Sequence, residues 1–322
     1  METQTALWIV FGATIALVLA FDLLVVSRRA HAPTFREATV SSAVYIGLGL
    51  LFGALVVATR GVDDGSAYIA GYLLELSLSI DNVFVFAMIF AAFAVPLPYQ
   101  HRVLFYGILG AIVFRAIFIA MGAAIIETFH WALYVFGVLL LVTGYRMWSH
   151  RAEHSMDLDR NPILRAFRRF VPMTDGYRGQ RFLVQEAGRR LATPLLAVLV
   201  VVESSDILFA IDSVPAIFSV TTDTFLILTS NAFAILGLRS LYFVLAGAVD
   251  RFRYLKPGLA ALLVFAGIKI LIAEWVTIPI PASLGIIVAI LSIAVGASLA
   301  ADRRAAAAAG SGTGREVSSS PS

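Results

Sequence analysis

Apolar residues run along this chain in blocks of about twenty, the length a helix needs to cross a hydrocarbon layer. Arginines, prolines and acids collect in the short stretches between them. Nine blocks qualify: residues 5–26, 39–59, 67–93, 103–126, 130–148, 194–218, 224–247, 257–276 and 282–301. The first has no basic leading segment and no small-residue cleavage site, and Arg28 and Arg29 follow it. It reads as a retained helix and not as a signal peptide. The pattern predicts an all-α polytopic membrane protein. Its transmembrane domain covers 1–301, its one sizeable loop is 149–193, and a small, polar tail over 302–322 is expected to be disordered.

Composition sharpens the picture. Charged residues are 14% of the chain, too few to cover a soluble protein, and mean hydropathy is +0.88. Cysteine is absent, which excludes disulfides, thiolate metal sites and a cysteine nucleophile. The net charge of +3 says less than its placement. Loops 27–38, 94–102, 149–193 and 248–256, the tail after 301 and Arg146 hold 20 of the 24 basic residues, and the alternate loops hold only Arg60. Nine spans with the N-terminus outside and the C-terminus in the cytoplasm fit that asymmetry; eight or ten do not. Loop 149–193 interleaves nine arginines with Phe167, Phe170, Tyr177 and Phe182. We read it as a lipid-facing topology signal rather than a nucleic-acid surface.

The chain also resembles itself. Glu75 and Asp81-Asn82-Val83 line up with Asp206 and Asp212-Ser213-Val214, each an acid, five residues, then Asp, a small polar residue and Val, at an offset of 131. Ile108-Leu109-Gly110 with Arg115 resembles Ile235-Leu236-Gly237 with Arg239, the arginines 124 apart. Val142-Thr143-Gly144 with Arg146 matches Phe265-Ala266-Gly267 with Lys269, at 123. Spans 3–5 therefore repeat as spans 6–8. Because span 3 starts outside and span 6 inside, the copies are inverted, a frequent build of secondary transporters.

Six acids lie in or near these spans: Asp22, Glu75, Asp81, Glu203, Asp206 and Asp212. Each charge at the centre of a membrane helix costs about 2.5–3.5 kcal/mol even on a lenient scale, so they call for a function. Arg115, Arg239 and Lys269 stand against them, and we read these as structural ion-pair partners. Acids six residues apart on a straight helix differ by about 120°, so the carboxylates converge on one ion only if spans 3 and 6 bend. Two ion positions along one path are the alternative. Asn82, Ser213 and Asn231 add amide and hydroxyl donors, and no histidine lies in mid-span. Such an all-oxygen set suits Mn²⁺, Ca²⁺ or Mg²⁺. No Walker loop, dinucleotide fingerprint or His-Glu-x-x-His occurs, so no enzyme activity and no bound cofactor is expected, and an ion gradient would supply the energy.

At these residues the chain resembles the TerC family, and within it the Alx-type branch. The likeness rests on Glu75 with Asp81-Asn82-Val83-Phe84, Ala192-Thr193-Pro194-Leu195, Glu203 through Phe218 with Asp206, Asp212, Ser213 and Pro215, and Thr229-Ser230-Asn231 leading to Arg239. Asp22-Leu23 and Pro172-Met173-Thr174-Asp175 belong to it as well. Two departures are Ser204-Ser205, where many members have one bulkier residue, and Val214 in place of isoleucine. The resemblance implies a bacterial inner-membrane exporter of manganese linked to tellurium resistance, alkaline pH and metal loading of secreted enzymes. Its membrane acids correspond to Glu75, Asp81, Glu203, Asp206 and Asp212. Expected partners are lipid, a divalent cation and protons as the coupling ion. A non-transporting scaffold of a stress-response or secretion complex is the alternative, and whether Asp22 touches the ion is left open.

Overall fold

The computed structural model describes residues 2–26, 34–129, 131–149, 162–186, 188–245 and 254–312. α1 (Glu2–Phe21) runs into a π turn over Asp22–Val26. α2 (Phe35–Arg60) begins on a reciprocal cap, in which Glu37 N donates to Thr34 Oγ1 at 3.3 Å and Thr34 N donates to Glu37 Oε2 at 2.8 Å. Gly61, at φ 94°, takes a conformation that a side chain would resist and so separates α2 from α3 (Val62–Ala92). α4 (Leu97–Thr128) starts behind Pro96, and α5 (Ala132–Ser149) follows it.

After α5 come a short helix, α6 (Pro162–Phe170), and an antiparallel hairpin of β1 (Leu183–Glu186) with β2 (Arg189–Ala192). α7 (Pro194–Phe218) has proline at its first position, where no amide partner is needed. Asp223 caps α8 (Thr224–Leu236), its Oδ1 accepting from Phe225 N at 2.8 Å and Leu226 N at 3.2 Å. α9 (Leu238–Leu245), α10 (Leu255–Leu271) and α11 (Ile280–Gly312) complete the chain.

Seven helical stretches among the described residues are long and apolar enough to cross a membrane: 3–24, 35–60, 97–128, 132–149, 194–218, 224–244 and 280–301. The other two blocks of the nine form α3, which carries Glu75 and Asp81, and the shorter α10. The molecule is an all-α polytopic membrane protein. Three features differ from the sequence reading. The block 224–247 is interrupted at Gly237, the poorest helix former short of proline, and becomes α8 and α9. α11 continues to Gly312 through the alanine run 305–309, where disorder was expected; residues 313–322 lie outside the described ones. Part of loop 149–193 is folded, as α6 and the hairpin.

α3 lies at the centre, against α2, α7, α8, α9, α10 and α11. α4 packs on α7, α3 on α8, and α5 on α10. Between apolar helices in lipid, association depends on close contact rather than on expelled water, and small residues permit it. At the α5–α10 seam a Cβ on Gly267 would stand 2.8 Å from the carbonyl oxygen of Gly137, so the two backbones touch. Phe11, Phe52, Phe225 and Phe233 form an aromatic knot among α1, α2 and α8, with Phe52 and Phe233 centroids 4.9 Å apart. Outward-facing Leu17, Leu51, Val113, Leu208 and Ile293 are exposed, as a lipid-facing belt requires.

The folded part of 162–192 is bound to the end of the bundle that carries the α3–α4 turn. Leu164 is buried there, with Phe167, Tyr177 and Phe182 packed around Phe90, Val95, Leu104 and Leu195. Tyr177 Oη donates to Phe93 O at 2.8 Å and Gln180 Nε2 to Pro98 O at 3.0 Å. Arg102 lies over the rings of Tyr106 and Phe182. Three of the four aromatics interleaved with arginines are thus spent on packing, while Phe170 is exposed.

Candidate ion site in the helix bundle

α3, α4 and α7 each present one charged residue to the same point. Glu75 comes from α3, Arg115 from α4 and Asp206 from α7, and none is more than 2% exposed. Arg115 Nη1 donates to Glu75 Oε1 and, at 3.0 Å, to Ser213 Oγ. Its Nη2 donates to Asp206 Oδ1 at 3.1 Å, and its Nε reaches Asp206 Oδ2 at 3.4 Å. Asn82 Nδ2 also donates to Asp206 Oδ1, at 3.4 Å. Glu75 and Asp206 hold matching places in the two similar segments, as do Asn82 and Ser213. One guanidinium therefore sits between two matching pairs of groups, with two carboxylates against one positive charge.

α7 runs as one helix through Pro215, so Asp206 and Asp212, six residues apart, stay apart; α3 is likewise continuous. Asp212 is half-buried and accepts a hydrogen bond from Thr143 Oγ1 of α5 at 2.9 Å. Glu203, one turn before Asp206, lies against α4 at Gly110, where the missing side chain makes room for its carboxylate. Its Oε2 is buried and has no hydrogen-bond partner among the described residues. The side chain of Asp81 lies outside the described residues. Asn231 is buried on α8, its amide nitrogen unpartnered, and makes no hydrogen bond to the centre among the described residues. In this arrangement no three carboxylates or histidines among the described residues group closely enough to hold a metal ion.

A second buried pair lies elsewhere. Arg239 Nη2 donates to Asp22 Oδ1, and Tyr45 Oη reaches the same oxygen at 3.4 Å. Asp22 is thus joined to Arg239 and not to Glu75 or Asp206. Lys269, expected to be an ion-pair partner, has no carboxylate within ion-pair distance among the described residues. It sits in the last turn of α10, where the free carbonyls favour a cation. At the opposite end of the bundle from the cap, Arg60 bridges Asp64 at 2.7 Å and Asp223 at 2.5 Å. Thr143, Tyr45 and Gly110 escaped the sequence reading as site residues. Thr143 and Gly110 stand inside repeated segments and so carried a signal; Tyr45 carried none.

These features define a polytopic helical membrane protein with a charged centre enclosed by its helices. The family described as "Integral membrane protein TerC family" matches residues 60–306, and the chain belongs to that family. It is 49% identical over 299 residues to an uncharacterized membrane protein of Myxococcus xanthus, covering 93% of each chain. It is also 49% identical over 294 residues to a protein of Escherichia coli K12 named "Putative membrane-bound redox modulator Alx", covering 88% of this chain and 91% of that one. An uncharacterized membrane protein of Rickettsia bellii is 39% identical over 294 residues, covering 91% of this chain and 96% of that one. No solved structure matches.

Proposed function

We propose that this protein is a secondary transporter that exports a divalent cation, foremost Mn²⁺, across the bacterial inner membrane in exchange for protons. The observation that carries this reading is the convergence of Glu75 and Asp206, with Asn82 and Ser213, on one buried point between α3, α4 and α7. Two buried carboxylates against a single guanidinium favour a further cation. The donors are all oxygen or amide, a set that suits Mn²⁺, Ca²⁺ and Mg²⁺; among these, the TerC resemblance favours Mn²⁺. Asp81, Glu203, Asp212 and Asn231 are proposed to serve the ion along its path.

The packing also supports an inverted repeat. If α3–α5 correspond to α7–α10, exchanging the copies turns the α3–α8 contact into the α7–α4 contact, and both are present. In such a build the site lies between the copies, and rocking one against the other exposes it alternately to the two sides. The basic cap then faces the cytoplasm, with the N-terminus outside. The chain has no cysteine, so the redox modulation in the E. coli relative's name would not pass through a thiol here; a shift in metal level is the route this reading supplies.

The folded cap, with its exposed Phe170, supports the second reading, a scaffold that docks a stress-response or secretion partner. Expression in a manganese-sensitive bacterial host separates the two. The transporter reading expects wild type to lower cell manganese and restore growth, and Asp206→Asn, present at the same level in the membrane, to do neither. Equal protection by Asp206→Asn would favour the scaffold.

A further inference from the structure

We infer that Arg115 is a tethered stand-in for the transported cation: it holds Glu75 and Asp206 while the site is empty and passes to Glu203 when an ion takes them. This rests on the transport reading above. The Arg115 side chain is 2% exposed, and its guanidinium occupies the point where the two matching acids meet, which is where an ion bound by both would lie. While it stays there, one oxygen of Glu75 and both of Asp206 are engaged, and no three of the described acids are grouped for a metal. An incoming ion must therefore displace it, and the displaced charge needs a buried acceptor, because stranding a second charge beside Glu203 is strongly destabilising.

Glu203 is built to be that acceptor. Its buried Oε2 has no hydrogen-bond partner among the described residues, and a guanidinium offers five donors. Gly110, the residue against which the Glu203 carboxylate lies, precedes Arg115 by five residues on the same helix, about 7.5 Å along its axis. Glu203 precedes Asp206 by three residues on α7, about 4.5 Å along the axis, within the sweep of one arginine side chain. Charge balance points the same way. Three carboxylates with one guanidinium leave a formal charge of minus two, which one divalent cation cancels. After the exchange every charge is paired: the ion with Glu75 and Asp206, and Arg115 with Glu203.

The test is equilibrium Mn²⁺ binding to the purified full chain, read from the loss of the free-ion electron paramagnetic resonance signal. Arg115→Lys keeps the charge but cannot bridge two carboxylates, so it should bind Mn²⁺ about tenfold tighter than wild type. Glu203→Gln leaves Arg115 nowhere to go and should bind about tenfold more weakly. Combining Glu203→Gln with Arg115→Met should abolish the Glu203 effect, because no guanidinium is left to relocate. Should the Arg115→Met proteins fail to fold, the Lys and Gln single variants decide. If Arg115 is only a brace, Arg115→Lys will bind no tighter than wild type, and that result overturns the inference while wild-type binding leaves the transport reading intact. Wild-type protein that neither binds nor moves Mn²⁺ would remove the transport reading itself, and this inference with it.

Discussion

Arg115 and Arg239 both sit in buried ion pairs, yet their surroundings differ. Arg115 meets two carboxylates, a serine and, through Asp206, an asparagine, whereas Arg239 meets Asp22 with Tyr45 beside it. Removing one member of a buried pair strands the other, at about 3–5 kcal/mol. Asp22→Asn should therefore lower stability in detergent by about that amount, read from the thermal or denaturant midpoint, while the folded fraction keeps its Mn²⁺ affinity. A loss of affinity without a loss of stability would put Asp22 on the ion path instead. The acids themselves were legible in the sequence because charges are rare in apolar runs. Their partners were not. Arg115 lies 40 residues from Glu75 and 91 from Asp206, and which spans face each other depends on rotations and depths that one sequence does not set.

Among the elements, α5 and α10 are held by backbone contact at Gly137 and Gly267. In Gly267→Leu the Cβ alone would crowd the Gly137 carbonyl oxygen, which as backbone cannot swing aside, as well as the Leu141 side chain. It should cost about 1–3 kcal/mol or more, seen as a lower unfolding midpoint, whereas Gly285→Ala on α11, where nothing lies near the added carbon, should leave it in place. The cap depends on a different device. Burial pushes the Tyr177 hydroxyl above its ordinary range, so the neutral phenol is the form that docks on Phe93. Its contribution is whole below about pH 10 and fades as pH rises through the raised value. Trypsin should accordingly cleave the arginine-rich cap faster at strongly alkaline pH. Tyr177→Phe should cleave faster at neutral pH, by the loss of a bond worth about 0.5–1.5 kcal/mol, and lose that part of the pH dependence. An unchanged alkaline response in the phenylalanine variant would show that another group loosens the cap. The bounds of span 6 at 194 and 218 were readable because Pro194 opens it and apolar residues fill it. The cap was not, although Leu164 and Phe167 at helical spacing mark one face of α6, because nine arginines interrupt the apolar pattern of 149–193.

Across the whole molecule, the arrangement joins three facts that are separate in the sequence: matching acid motifs, a paired set of helix contacts, and an arginine common to both motifs. The membrane class was legible from block length and composition, and the family from its acid motifs. The convergence of Glu75 and Asp206 was not, because it depends on how α3, α4 and α7 face one another around Arg115, while Asp212 on the continuous α7 turns to Thr143 of α5. The central claim is that this buried centre moves a divalent cation against protons. Mn²⁺ flux into proteoliposomes of purified protein, under proton gradients of either sign, tests it most directly. The account predicts flux that reverses direction with the gradient and disappears in Asp206→Asn protein that is still folded. Folded wild-type protein giving no flux under either gradient would contradict it.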